Sequence, residues 1–326
     1  MNGPAVRPGE GQDWRPGASR RAVEARARLL AAIRAFFADR GVLEVETPIL
    51  CRAGNSDPNI ASLATEGPRR RYLRTSPEYA MKRLLAAGFR DIYELGRVFR
   101  ADEQGPWHNP EFTLLEWYRG GMAYLDLAAE VLELARHCGA GAFDGWSEQR
   151  VSYRDWFLQG LGLDPFGCSE SDLAQCAAER GIRAGPLEHG QWLDLLLAEV
   201  LQPALPGECF TVLYDFPPEQ AALARVRPGD PPLAERFEIF AGQVELANGY
   251  QELTDAEEQF GRFQREHRLR EVRGEDTPPL DAALLAALRH GLPDCSGVAL
   301  GVDRLLMTVL KLEHIDAVLA FSTARA

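Results

Sequence analysis

The fold can be read first from one stretch, Gly297-Val298-Ala299-Leu300-Gly301-Val302-Asp303-Arg304. Small residues at alternate positions leave one face of a strand bare, so a flat ring can lie against that face. Arg304 follows at the start of a predicted helix, where the positive helix end favours anions. A close-packed core strand would carry similar glycines, but glycines that end in Asp-Arg at a helix start are more specific.

Hydrophobic periodicity around this stretch predicts an α+β fold. The predicted helices cover 19–40, 76–88, 255–273, 280–290 and 303–312, and the predicted strands cover 42–47, 71–74, 92–100, 111–118, 210–214, 236–239, 244–253 and 297–301. Most of these strands lie in hairpins rather than in β-α-β alternation. We therefore expect a largely antiparallel sheet flanked by helices.

The chain is predicted to form one domain behind a short tail. Residues 1–17 are rich in Gly, Pro and charge and predict a flexible N-terminal tail, and 18–326 form the domain. Residues 121–205 read as a mostly helical insertion that packs against the core. No signal-peptide-like or membrane-length apolar run is visible, so we expect a cytoplasmic protein.

Composition narrows the class of protein further. The 326 residues include 36 Lys and Arg against 48 Asp and Glu, a formal net charge of −12, with 46% apolar residues. These values exclude a disordered chain and argue against a generally basic nucleic-acid binder, although a local positive pocket remains compatible with them. Six cysteines without a C-x-x-C pair indicate reduced, packed thiols rather than a zinc site or disulfides.

Arg100 marks a second cluster, at the end of a predicted strand. The hairpin loop that follows carries His108 and Asn109 and returns at Glu111. An arginine there can donate two parallel hydrogen bonds to a phosphate. The alternative is a surface ion pair with Asp102 or Glu103, and the pattern alone does not choose between the two.

A third cluster is formed by Glu238, Glu245 and Glu252, which are seven residues apart. Across a tight turn this offset predicts that Glu238 and Glu245 lie opposite each other, a pair suited to magnesium. Glu245 and Glu252 have opposite strand parity, so a shared cavity requires a bulge, for which we expect Gly249. Solvated strand carboxylates are the alternative. Together the three clusters indicate ATP binding without a P-loop or a G-x-G-x-x-G turn.

These motifs resemble the catalytic core of the class II aminoacyl-tRNA synthetases, and the lysyl-tRNA synthetases most. Residues 41–50, ending in Glu46-Thr47-Pro48, match motif 1, residues 99–113 match motif 2, and residues 297–304 match motif 3. Segments 245–249 and 252–255 match the lysine-type sequence before motif 3. The match extends from about residue 20 to the end.

The chain is more similar still to the stand-alone paralogues of this core that modify elongation factor P with (R)-β-lysine. Motif 1 begins within the first fifty residues, so we expect no anticodon-binding barrel. Ala299 stands where the synthetases have glycine, and its methyl group would crowd the bound amino acid or adenylate. Asp102 stands where the family has Glu, so Glu103 would share that contact with adenine.

The resemblance also implies a role for each matched residue. Arg100 and Arg304 would be catalytic and hold phosphates of ATP, and Glu238 and Glu245 would bind Mg²⁺. The implied amino-acid site consists of Ser76, Pro77, Glu78, Tyr118, Asn248, Glu252 and Ala299. The implied ATP site consists of Arg100, Asp102, Glu103, His108, Asn109, Glu245, Leu246, Gly301 and Arg304.

The implied reaction has two steps. The amino-acid carboxylate attacks the α-phosphorus of ATP and expels pyrophosphate, and arginines with magnesium reduce the repulsion between the anions. A lysine of elongation factor P then attacks the adenylate, and a homodimer is implied as well. The alternatives are a lysyl-tRNA synthetase-like enzyme that charges RNA and a non-catalytic amino-acid sensor.

Overall fold

A computed structural model describes residues 14–326 of the chain; most of the predicted tail, residues 1–13, lies outside the described residues. The helices are α1 (Arg20–Asp39), α2 (Glu78–Ala86), α3 (Tyr124–Gly139), α4 (Tyr153–Leu161), α5 (Glu170–Glu179), α6 (His189–Leu196), α7 (Ala256–Arg273), α8 (Ala282–Gly291) and α9 (Val302–Leu310). The strands are β1 (Leu43–Glu44), β2 (Leu50–Cys51), β3 (Tyr72–Leu73), β4 (Asp91–Phe99), β5 (Glu111–Gly120), β6 (Ser147–Ser152), β7 (Cys209–Phe216), β8 (Val226–Arg227), β9 (Leu233–Ala241), β10 (Val244–Gln251) and β11 (Cys295–Gly301).

The main sheet is mixed but largely antiparallel, as the hairpin pattern predicts. Its strand order is β1-β4-β5-β11-β10-β9-β7-β6, and β8 pairs with β9. Only the outermost pairs of this order, β1 with β4 and β6 with β7, are parallel. The strand of the 297–304 stretch therefore lies in the middle of the sheet, and the α+β prediction is confirmed.

The two faces of the sheet have different surroundings. Helices α1, α3 and α9 cover one face, where Ile33, Phe37, Trp117 and Leu300 belong to a single buried cluster. Residues alternate between the faces of a strand, so the neighbours of Trp117 and Leu300 point the other way. That second face is the floor of a large cavity.

Local signals in the sequence account for the helix ends. The Ser19 hydroxyl accepts a hydrogen bond from the Ala22 amide at the start of α1, and Gly41 follows the helix with a φ of +66°. A positive φ favours glycine because other residues suffer a clash at Cβ there. The Asp255 carboxylate similarly accepts from the amides of Glu257 and Glu258 at the start of α7.

Two sequence predictions of strands require correction. The strand predicted over 42–47 is only Leu43–Glu44, since after one further hydrogen bond from the Val45 amide to the Tyr93 carbonyl the chain leaves β4. The mostly helical segment 121–205 contains β6, which extends the sheet beside β7. Most of β6 is exposed, so it lacks the apolar alternation by which a strand is recognised.

Residues 14–326 contain no helix that is both long and apolar enough to cross a membrane.

Candidate active site

A cavity of about 860 Å³ opens over the second face of the sheet. Its floor consists of β5, β11 and β10, and the hairpin loop between β4 and β5 forms one wall. The volume falls within the range of about 300–1,000 Å³ that is typical of small-molecule sites. Most of the side chains expected to bind substrate or ATP line it.

Strand register explains the bare floor. Ala299 pairs with Glu116 on β5 and with Asn248 on β10, and Gly297 pairs with Tyr118 and Tyr250. A methyl group built on Gly297 would overlap the Tyr118 ring and Oε1 of Glu252. Gly297, Ala299 and Gly301 all line the cavity, as their alternation predicts.

Arg304 forms the centre of a basic end of the cavity. One of its guanidinium nitrogens donates to the Glu245 carbonyl at 3.0 Å, and another lies 2.7 Å from Nε2 of His108. Burial and the Arg304 charge lower the pKa of His108, so its ring is neutral at pH 7 and accepts this hydrogen bond. Asp303 is buried beside Arg304 and accepts from the Thr113 amide at 2.7 Å, which ties α9 to β5.

Arg100 lies at the same end, at the start of the β4–β5 loop. Its guanidinium donates to Glu103 at 2.9 Å and lies over the Phe112 ring, with 5.2 Å between the guanidinium carbon and the ring centroid. Glu103 lines the cavity, whereas Asp102 is exposed and does not. The structure thus brings Glu103, and not Asp102, to this end of the cavity.

Asn109 lines the cavity but uses both ends of its amide within the protein. Its Nδ2 donates to the Glu111 carbonyl at 2.6 Å, and its Oδ1 accepts from the Thr323 amide at 3.1 Å. The side chain therefore holds the end of the β4–β5 loop against the C-terminal segment.

Glu116 belongs to an acidic end of the cavity, and sequence reasoning did not single it out. It is 3% exposed and accepts hydrogen bonds from Ser76 at 2.6 Å and from Tyr118 at 2.7 Å. Burial, together with the charge of Glu78, raises the pKa of Glu116 to about 8. Its place two residues before Tyr118, on the same strand face, is the signal that could have revealed it.

Lys82 was also missed, and it connects two predicted acids. Its ammonium lies 2.6 Å from Oε1 of Glu78 and 2.6 Å from Oε2 of Glu252. Burial raises the pKa of Glu252 to about 7 against the opposing effect of Lys82. Burial also disfavours the charge on Lys82, but the two carboxylates outweigh it and raise the pKa of the lysine.

The predicted pairing of Glu238 with Glu245 is wrong in register. Glu245 pairs with Phe240, since the turn places Val244 opposite Ala241. Glu238 pairs with Asn248, because an extra residue at Leu246 bulges β10 between Glu245 and Ala247. The bulge that the shared cavity requires therefore exists, but at Leu246 rather than at Gly249. It turns Glu245 to the face that carries Asn248 and Glu252.

Two further predicted residues do not reach the cavity wall. Glu238 is buried opposite Asn248 and is paired with Arg236, and both of these neighbours line the cavity. Burial, partly offset by Arg236 and reinforced by Glu245, raises the pKa of Glu238 to about 7. Pro77 precedes α2 and lines a neighbouring cavity instead.

Comparison with known proteins fits this geometry. The family model of the class II tRNA synthetases (D, K and N) matches residues 12–161 and 197–325. The chain therefore belongs to the class II tRNA synthetase family. The gap between the two matched segments, residues 162–196, falls within the predicted insertion.

Within that family the chain belongs with a group of ligases. It is 44% identical to a protein of Yersinia enterocolitica named elongation factor P--(R)-beta-lysine ligase, over 97% of this chain and 99% of that protein. Proteins of the same name from Proteus mirabilis and Vibrio cholerae are each 44% identical over 96% of this chain, and over 98% and 99% of their own lengths. Membership of this class of ligase implies the use of ATP.

Proposed function

We propose that this chain activates (R)-β-lysine with ATP as an adenylate and transfers it to a lysine side chain of elongation factor P. One observation carries the proposal: a single cavity has guanidinium groups at one end, from Arg100 and Arg304, and buried carboxylates at the other. The guanidinium groups can bind a triphosphate, and the buried carboxylates can bind a diamino acid. The carboxylate of the amino acid would then meet the α-phosphate between the two ends.

The acidic end favours a substrate with two ammonium groups. Glu78 and Glu252 would take the amino groups, with Tyr118 beside the distal one and Asn248 near the carboxylate. Within residues 14–326, Oδ1 of Asn248 is buried without a hydrogen-bond partner, so it can accept from an ammonium group of the ligand, whereas Nδ2 of the same amide can donate to the carboxylate. A site built around an ammonium rejects analogues without it, since a buried carboxylate would stay unpaired.

The ATP end would combine several kinds of contact. Arg100 would hold the α-phosphate, Arg304 would hold the γ-phosphate or stack near adenine, and His108 and Glu103 would line the nucleotide. Leu246 and Gly301 also line this part of the cavity. Because Arg100 and Arg304 are already held by acids, both are placed before the nucleotide binds, which limits the cost of ordering them.

The chemistry of Glu238 and Glu245 fits a magnesium site, because carboxylate oxygens are hard ligands of the kind that magnesium prefers. Both side chains also lie on the same face of the β9–β10 hairpin. The charge of Glu245 contributes to the raised pKa of Glu238, because the two carboxylates repel each other. A cation between them would relieve this repulsion. Among residues 14–326 no three His, Cys, Asp or Glu side chains are arranged to hold a metal. Magnesium would therefore be shared with phosphate oxygens and would neutralise part of their charge.

The chemistry requires no general base in the first step. The carboxylate oxygen of the amino acid attacks the α-phosphorus, the bond to the β-phosphate breaks, and pyrophosphate leaves. In the second step the unprotonated lysine amine of elongation factor P attacks the carbonyl carbon, the bond from that carbon to the phosphate oxygen breaks so that AMP leaves, and the nitrogen loses one proton as the amide forms. The arginines stabilise the charge that develops on the phosphoryl oxygens.

We also propose a homodimer formed through the motif 1 region, and a cytoplasmic site of action beside the translation machinery. The support for the dimer is apolar exposure on β1, at the edge of the main sheet, and around the start of β2, in the small β2–β3 sheet: Leu43, Ile49 and Leu50 are 51%, 43% and 51% exposed. Such a patch at a sheet edge is typical of a protein interface.

The direct test is a transfer assay. The purified protein is incubated with ATP, Mg²⁺, (R)-β-lysine and unmodified elongation factor P, and the mass of the factor is measured. We expect one added β-lysyl group and AMP formation. A parallel reaction with tRNA and lysine should give no charged RNA. Charging of the RNA with no change in mass of the factor would contradict the proposal, and no pyrophosphate exchange with either amino acid would indicate a sensor.

A further inference from the structure

Lys82 is a buried ammonium group with no role in the reaction as described so far. It lies in the middle of α2, is 1% exposed, and contacts one oxygen of each of two carboxylates. A buried lysine is costly unless it is paired, so its position between Glu78 and Glu252 calls for an explanation.

The composition of the chain indicates that position 82 requires a lysine and not merely any basic residue. The chain has 36 basic residues, of which only Lys82 and Lys311 are lysines, so arginine serves nearly everywhere else. An ammonium is compact and can lie between two carboxylates, whereas a guanidinium is wide and planar. Position 82 therefore demands a small, point-like cation.

The contacts of Lys82 leave the pocket open to a ligand. The Lys82 ammonium contacts Oε2 of Glu252, whereas Oε1 of Glu252 lies over Gly297, on the cavity floor. The ammonium also contacts Oε1 of Glu78, and the Glu78 side chain lines the cavity. Each carboxylate is thus held by the protein on one side and available to a ligand on the other.

We call Glu78, Glu116 and Glu252 the ammonium site; the charges of Glu78 and Glu252 both contribute to the raised pKa of Glu116. We propose that Lys82 is a positioning residue whose fixed ammonium neutralises one of these three carboxylates and so sets the site to accept two substrate ammonium groups. Three carboxylates and one resident cation leave two negative charges, the number that a diamino acid balances. This inference rests on the proposed function, whose substrate has two amino groups.

The titratable groups around the ammonium site come from every element packed there. They are Glu78 and Tyr79 on α2, Glu116 and Tyr118 on β5, Tyr250 and Glu252 at the end of β10, and Cys295 on β11. Burial raises the pKa of each tyrosine and of the cysteine, so these groups are neutral at pH 7. Near pH 7, Glu116 and Glu252 are therefore the groups of the site that gain or lose a proton while Lys82 stays charged.

Proton release on amino-acid binding measures this charge balance. In the free protein Glu116 holds a proton near pH 7, and two incoming ammonium groups would displace it, so binding should release about one proton. We would measure the heat of binding of (R)-β-lysine and of L-lysine at pH 7 in buffers of different ionisation enthalpy. An analogue with one amino group, 6-aminohexanoate, should release about none.

Lys82→Met, which keeps the length and apolar stem, leaves three carboxylates against two substrate ammonium groups, so one carboxyl of the ammonium site should stay protonated in the complex, where the wild-type complex has none. The infrared spectrum of the (R)-β-lysine complex should therefore show one additional protonated carboxyl in the variant. Arg83→Met removes the neighbouring exposed charge on α2 and should leave this spectrum unchanged. A merely structural role for Lys82 would change the melting temperature without adding a protonated carboxyl, and a folded Lys82→Met complex that lacks it would overturn the proposal.

If Lys82→Met does not fold, the double variant Lys82→Met/Glu78→Gln removes one acid together with the ammonium. It should fold and again release about one proton; release of none or two would overturn the proposal. Failure of the proposed function can be told apart from failure of this proposal. The number of protons released when L-lysine binds can be as expected even if elongation factor P is never modified. Failure of the wild type to bind any diamino acid would refute the role of Lys82 as well.

Discussion

Arg100 and Arg304 each hold a carboxylate in the free protein, Glu103 and Glu245 respectively. These ion pairs lie on the cavity wall and are partly exposed, so their own contribution to stability is small. Their effect is to fix two guanidinium groups where phosphate charge develops, and preorganised groups of this kind contribute most to charged transition states.

Arg100→Ala should reduce amino-acid-dependent pyrophosphate exchange by about 100- to 1,000-fold, the range seen when one preorganised donor is lost. The melting temperature should change little, because the lost ion pair with Glu103 is partly exposed. Arg97→Ala is the matched control, since Arg97 lies three residues earlier, on β4, and is exposed beside Glu111. Near-normal exchange by the Arg100 variant would refute its assignment to phosphate.

Gly297→Ala should abolish amino-acid binding, because the added methyl group overlaps Glu252 and Tyr118. Overpacking of this kind costs about 1–3 kcal/mol of stability as well. Gly301→Ala lies four residues further along the same strand face, where the nearest atom to a methyl is 3.7 Å away, and should cause a much smaller loss. The comparison is made by calorimetry, and equal binding by the two variants would contradict the described floor.

At the scale of the elements, the bulge in β10 and the loop clamped by α7 build the site. The bulge at Leu246 brings Glu245 to the face of Asn248. Arg270, buried on α7, donates to the Ser56 carbonyl at 2.9 Å and to the Ile60 carbonyl at 2.9 Å. Four carbonyls of the loop over 55–60 accept from this one side chain, and most of that loop lines the cavity.

Arg270→Met should loosen this loop without unfolding the sheet. Buried carbonyls that lose their donor cost about 1–3 kcal/mol, so amide hydrogen exchange over 55–60 should increase and KM for the amino acid should rise. Arg268→Met removes an exposed arginine from the same helix and should leave both quantities unchanged. Unaltered exchange in the Arg270 variant would show that the loop is held by other contacts.

The sequence predicts elements better than it predicts how they pair. Periodicity and end signals define α1, α7 and β4 within a few residues, since these depend on local contacts. The pairing of Glu238 with Asn248 depends on one extra residue at Leu246, and no local pattern marks that bulge. Lys82 was invisible for a similar reason, because its partner Glu252 is 170 positions away along the chain.

At the scale of the whole molecule, buried carboxylates make stability depend on pH. Burial raises the pKa of Glu116 to about 8 and those of Glu238, Glu252 and Glu266 to about 7. Between the ordinary pKa of glutamate and these values, the folded protein binds more protons than the unfolded chain. The free energy of unfolding must therefore fall as pH rises across that window.

The melting temperature of the free protein should decrease between pH 5.5 and pH 8.5. Glu116→Gln removes the carboxylate with the highest of these pKa values, so the decrease should be smaller throughout the range from pH 5.5 to about pH 8. Glu148→Gln, on exposed β6, should retain the slope of the wild type. The measurement is the melting temperature of each protein across this pH range. An identical change of melting temperature with pH in all three proteins would show that Glu116 does not hold a proton in the folded state.

The opposite charge of the two cavity ends is the basis of the whole account, and a crystal structure with a non-hydrolysable ATP analogue and (R)-β-lysine tests it most directly. We expect the phosphates against Arg100 and Arg304 and both ammonium groups of the amino acid against Glu78, Glu116 and Glu252. Phosphates bound elsewhere, or an amino acid whose amino groups face solvent, would contradict it.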